Sequence, residues 1–198
     1  MKARTRIALA AVALAASWAY ALSAQTTTGD GPQYVAGSDK LIRPANYREW
    51  IFIGSSLGLD YPEPGAAPRP DRFNNVFVNP SSYRAFMQTG KWPDKTAWVL
   101  EFRAVGTEAV ANRQGKFQTG VVNFEVNVKD SRFKDGWGYF IFRDGETNTA
   151  PLAGDTAQRC IDCHTAHMAV ERTFVQFYPT LLDVAKRMGT LRKDYTDP

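Results

Sequence analysis

The chain has 198 residues, enough for one domain with a proper core and hardly enough for two. It carries 24 basic and 20 acidic side chains, a net charge of +4. Three of the basic residues (Lys2, Arg4 and Arg6) precede residue 25 and no acid does, so the remainder stands at 21 against 20, or +1. No basic patch stands out from that balance, which excludes a nucleic-acid partner.

Residues 1–24 have the layout of a secretory signal peptide. A basic start leads into the apolar run Ile7 to Ala16, and Ala19-Tyr20-Ala21 and Leu22-Ser23-Ala24 supply small residues for cleavage. A membrane anchor is the alternative, but the run is broken by Ser17 and falls short of the roughly 20 apolar residues a span needs. Export to the periplasm with cleavage is therefore expected, with no membrane span afterwards. Residues 25–40 are small and polar around Gly31-Pro32 and read as a flexible N-terminal arm. A single domain over 41–198 follows.

Asn46 to Ile53 has the spacing of an amphipathic helix, and Gly58 to Pro70, with four prolines, reads as a loop. Phe73 to Val78 reads as a strand. Asn79-Pro80 then offers an N-cap and a first-turn proline to a helix that runs through Tyr83, Phe86 and Met87 and stops at Gly90. Thr96 to Arg103 alternates, with Trp98, Leu100 and Phe102 on one face. Gly120 to Lys129 sets Val122, Phe124, Val126 and Val128 against Val121, Asn123, Glu125 and Asn127. Trp137 to Arg143 is a third aromatic-rich strand, joined to the second by a polar hairpin connection. Beyond Asp155 the pattern turns helical, with Leu181, Leu182, Val184, Ala185 and Met188 at three- and four-residue spacing. The expected fold class is α+β, a mainly antiparallel β-sheet with flanking helices.

The chain has two cysteines and two histidines, and three of these four residues fall in Cys160-Ile161-Asp162-Cys163-His164. Two thiols at this spacing can add to the two vinyl groups of one haem, with the next histidine held under the iron as axial ligand. One covalent haem c is the cofactor this predicts, with Cys160 and Cys163 as thioethers and His164 on the metal. Zinc bound by Cys160, Cys163, His164 and His167 would need four ligands within eight residues, where zinc sites use two separate segments. A redox dithiol would follow a strand in a βαβ unit, and a plain disulfide remains as a third alternative.

His167 and Met168 lie on the proximal side of the iron with His164 and cannot close its sixth position. Met87 and Met188 remain as candidates, and core packing is the preferred reading of both. The attachment site also comes late in the chain, after the β-rich section. That order suits a haem with one face open, covered by Leu100, Phe102, Val121, Asn123 and Glu125.

These residues resemble the cytochrome P-460 family, which includes the cytochromes c′-beta. The markers are Asn46-Tyr47-Arg48-Glu49-Trp50, Val78-Asn79-Pro80-Ser81-Ser82-Tyr83, Asp94-Lys95-Thr96, Val128-Lys129-Asp130-Ser131, and Phe177-Tyr178-Pro179 after the haem motif. The likeness runs from about residue 41 to residue 190. It implies a homodimer with a five-coordinate haem and a redox partner cytochrome. One branch oxidises hydroxylamine through a haem cross-linked to a strand lysine; the c′-beta branch lacks the cross-link and binds nitric oxide or carbon monoxide. Here the lysine position aligns with Leu100, and Lys91 and Lys95 fall before the strand. Glu125 aligns with the enzymes' distal carboxylate, a proton acceptor, although an exposed strand residue is its other reading. A nitric oxide-binding haem protein, a hydroxylamine-oxidising oxidoreductase and a plain electron-transfer protein are the three functions to separate.

Overall fold

The computed structural model describes residues 29–59, 65, 67–111 and 113–196. The expected signal peptide and most of the proline-rich loop lie outside the described residues. Seven strands and three helices make up the rest. Their order is β1 (Leu41–Ile42), β2 (Ile51–Leu57), β3 (Arg72–Val78), α1 (Pro80–Thr89), β4 (Thr96–Gly106), β5 (Phe117–Lys129), β6 (Trp137–Phe142), β7 (Asn148–Thr149), α2 (Gly154–Ala166) and α3 (Pro179–Met188). β2 to β6 form one antiparallel five-stranded sheet in sequence order, and β1 pairs with β7. This is the α+β class the alternation predicts.

The pleat sorts the sheet into two faces. Cross-strand pairing puts Val76, Leu100, Glu125 and Ile141 in one row, with Val78, Trp98, Asn127 and Tyr139 in the next. That face carries the helices. Its core joins Val76, Trp98 and Tyr139 to Phe86 of α1 and to Leu181, Val184 and Ala185 of α3. The opposite face presents Phe77, Val99, Phe124, Val126 and Phe140, and the N-terminal segment covers it with Leu41, Tyr47 and Trp50. β3, β4 and β6 therefore supply both cores, which is why Val76, Phe77 and Val78 and also Ala97, Trp98, Val99 and Leu100 are apolar in succession.

Three expectations change. Asn46 to Ile53 is not a helix: a single 3-10 turn at Tyr47–Glu49 leads into β2, whose backbone pairs with β3 from Ile51↔Val78 onward. Trp, Ile and Phe suit a pleated surface better than a helix, and a neighbouring strand decides between the two periods. Asn79 precedes α1 as expected but does not cap it. Its Oδ1 accepts the Ala97 N–H at 2.8 Å and so ties the helix start to β4. Val121 and Val122 are 44% and 57% exposed, because β5 pairs with β6 only from Phe124 onward and bulges break its register with β4 near Arg103.

The described part of the 25–40 segment is held against the domain. The Tyr34 hydroxyl donates to Asp130 at 2.9 Å, and the Arg132 guanidinium lies 3.6 Å from the Tyr34 ring centre. Among the described residues no helix is long and apolar enough to cross a membrane.

Candidate haem site

α2 begins where Gly154 takes a positive φ of 58° after an extended Ala153, with Asp155 in its first turn against the positive end of the helix dipole. Cys160, Cys163 and His164 stand at i, i+3 and i+4, so all three share one helical face. The two thiols are not paired with each other in the structure. Burial raises the pKa of both, and for Cys160 the nearby Glu125 and Cys163 add to the effect. A redox dithiol needs the opposite shift. His167 caps the end of α2 in an exposed position, and among the described residues no group of three or more His, Cys, Asp or Glu is arranged to hold a bare metal ion.

His164 is held from three sides. Its ring centre lies 5.1 Å from that of Tyr139 and 4.8 Å from that of Phe174. Its Nδ1 is 2.7 Å from the Arg172 carbonyl oxygen. A carbonyl only accepts, so Nδ1 carries the proton and donates, which leaves the Nε2 lone pair free for a metal. Burial lowers the His164 pKa, and the Arg172 charge adds to this against the pull of the carbonyl. The ring is thus the neutral imidazole that iron requires.

His164 and Cys163 open onto a cavity of about 260 Å³ between α2 and the helix-side face of the sheet. Leu100, Phe102 and Glu125 line the same cavity. The register explains why: Leu100 and Glu125 are direct cross-strand partners, and Phe102 is the next residue of β4 on that face. Arg72 lies with its guanidinium 4.3 Å from the Phe102 ring centre. Cys160 is half-buried against the adjoining core rather than in the cavity wall. Val121, expected here, points to solvent instead.

Glu125 is therefore a pocket residue and not an exposed one. Burial pushes its carboxyl above the usual range, against a hydrogen bond from Asn123 Nδ2 at 2.6 Å and the charges of Arg72 and Arg69. A carboxyl shifted in this direction keeps its proton to a higher pH than an ordinary one. Arg172 also lines the cavity, and its buried Nη1 has no hydrogen-bond partner among the described residues. A buried cation of this kind fits a group with carboxylates of its own, as haem has.

No methionine or lysine lines the cavity among the described residues. Met87 packs on the helix-side core, as expected, whereas Met188 is 43% exposed near the end of α3 and is not core. Lys95 is tied to Asp130 and Asp94, and Lys129 to Glu171, so both have structural partners outside the cavity. Arg72, Tyr139 and Arg172 were not legible as site residues. Arg172 comes eight residues after His164 in an irregular segment, where no spacing rule applies.

No curated protein matches the chain. The family model for cytochrome P460 matches residues 44–175. That span covers the five-stranded sheet, the whole of α2 and the cavity-lining residues as far as Phe174. The chain belongs to the cytochrome P460 family, whose members carry one covalently bound haem c.

Proposed function

We propose that the protein is an exported, periplasmic mono-haem c-type cytochrome with an open distal site for nitric oxide or a similar small ligand, of the c′-beta kind. Cys160 and Cys163 are the thioether residues and His164 Nε2 the axial ligand. The observation that carries this reading is the shared cavity. Leu100 and Glu125 face Cys163 and His164 across it, with no methionine to close the iron and no lysine to cross-link the macrocycle among the described residues.

Bound here, a haem would supply an iron able to take up a small ligand. The chain's own residues do the rest. Leu100 and Phe102 form an apolar wall that excludes water and offers no competing ligand. Glu125 holds a proton at the cavity, fixed in direction by Asn123. The Arg172 carbonyl fixes the tautomer and orientation of His164. The family likeness adds a homodimer and a partner cytochrome for electron exchange.

Oxidation of hydroxylamine is the second reading, favoured by one observation: Glu125 is kept, buried, and poised as a proton acceptor. A plain electron carrier has no such support, since it needs a second strong ligand.

Absorption spectra of the purified ferrous protein, with and without nitric oxide, separate the three. An ordinary c-type spectrum with high-spin features that changes on nitric oxide addition is expected. A red-shifted ferrous Soret band would instead indicate a cross-linked enzyme haem, and sharp reduced bands indifferent to nitric oxide would indicate a carrier. Intact mass should equal mature polypeptide plus one haem, and Cys160→Ala with Cys163→Ala should abolish haem retention in denaturing gels.

A further inference from the structure

The segment after α2 makes a hairpin of the tightest kind. Val170 and Thr173 bridge each other in antiparallel fashion, and the Thr173 N–H donates to the Val170 carbonyl at 2.7 Å. The two residues between them, Glu171 and Arg172, both have positive φ, 44° and 65°. Two successive left-handed residues are the mark of a type I′ turn, which asparagine and glycine occupy easily and glutamate and arginine do not. Such a conformation persists only where the surroundings over-determine it.

The surroundings do so through Glu171. Its Oε2 accepts the Trp92 backbone N–H at 2.8 Å and Lys129 Nζ at 3.1 Å, and Lys129 Nζ also donates to the Trp92 carbonyl at 2.6 Å. The Trp92 indole donates to Thr173 Oγ1 at 3.0 Å, and that hydroxyl donates to the Val170 carbonyl at 2.6 Å. Trp92 is itself immobile: 2% exposed, stacked on Phe86 at 4.0 Å and edge-on to Trp98 at 4.9 Å. The rigid end of this chain of contacts is the sheet; its other end is the Arg172 carbonyl, 2.7 Å from His164 Nδ1.

We propose that Glu171 is a positioning residue for the haem site: clamped to Trp92 and Lys129, it holds the turn so that the Arg172 carbonyl strengthens His164 as an iron donor. This rests on the reading of His164 as the axial ligand. A strong acceptor on Nδ1 gives the imidazole more anionic character, which favours the ferric iron and lowers the reduction potential. The clamp thus sets a redox property from a residue that touches neither haem nor ligand.

The two halves of the clamp allow a test in which electrostatics and positioning predict opposite signs. Loss of the cation in Lys129→Met would lower the potential if charge acted through space. Loosening of the turn raises it. In the haem-loaded protein we expect Lys129→Met to raise the midpoint potential and to lower the ferrous iron–histidine stretching frequency in resonance Raman spectra. Glu171→Ala should shift both in the same directions, and Glu171→Gln, which can still accept the Trp92 N–H, should recover part of both shifts. A fall in potential in Lys129→Met, or an iron–histidine frequency equal to wild type in Lys129→Met and Glu171→Ala, overturns the proposal. His164→Gly is the control for the underlying reading. If it leaves the iron–histidine band in place, His164 is not the ligand and the clamp falls with it. If the band disappears in His164→Gly but is unmoved in the clamp variants, only the clamp is wrong.

Discussion

Glu101 and Glu125 are two buried glutamates on neighbouring strands, one on each face of the same sheet, and they have opposite fates. Glu101 is fully buried among the N-terminal aromatic residues. Burial alone would raise its pKa, but hydrogen bonds from Arg103, Tyr47 and Asn75 outweigh this and hold it at about 2. Arg48 adds an ion pair. Glu125 has one hydrogen bond, from Asn123, and more distant arginines, so burial prevails and its carboxyl is raised. Depth below the surface does not decide whether a carboxylate is structural or reactive. The number of donors that converge on it does. The candidate haem cavity lies on the face where the donors are few.

The largest effect that would break this contrast lies at Glu101. Glu101→Gln removes the negative charge and one of the two acceptor oxygens that face Arg103, whose side chain is only 23% exposed, and should cost about 3 kcal/mol in chemical denaturation at neutral pH. The folded pKa lies below the ordinary 4.5, so Glu101 stabilises the fold above that value and ceases to as pH falls toward 2. The gap between wild type and variant should therefore close over that acid window. A constant gap would mean that packing, not charge, is responsible.

Glu125→Gln should act in the other direction and more weakly. A raised folded pKa means that Glu125 costs nothing at low pH, where it is protonated, and that stability is lost as pH rises through and above the ordinary carboxylate range. The variant should match wild type in acid and exceed it at neutral pH, by on the order of 1 kcal/mol. Any pH dependence of ligand binding or hydroxylamine turnover in that range should vanish with it. Denaturation curves across pH check the first part and stopped-flow binding the second.

Lys116→Ala gives the smallest expected change and sets the baseline. Lys116 and Asp71 form a pair with both side chains well exposed, so its loss should cost less than about 0.5 kcal/mol and disappear in high salt. A larger loss would show that exposed pairs in this protein cannot serve as the reference for Glu101.

The haem motif was legible because its chemistry is local: two thiols and an imidazole within five residues need only one helical face to converge. The alternation in Thr96 to Arg103 and in the second half of β5 was legible for a similar reason, since period 2 survives any choice of partner strand. Asn46 to Ile53 was not. Its apolar spacing fits both periods, and β3 as a neighbour selects the strand. The exposed Val121 and Val122 were misplaced because alternation says which residues share a face but not how far the adjoining strand extends. Asn79 has the composition of a helix cap, and only the approach of Ala97 shows its side chain bonded to β4.

By itself, the amino-acid sequence determined the α+β pattern, the family and the grouping of Cys160, Cys163 and His164 on one helical face, because each depends on residue types at short spacing. Only the tertiary structure decided that Leu100 and Glu125 face His164 across one cavity, that the Arg172 carbonyl holds the imidazole, and that Glu101 and Glu125 are shifted in opposite directions. Those properties depend on distances between residues far apart in the chain, and on donors counted in space, which no local pattern of residues encodes.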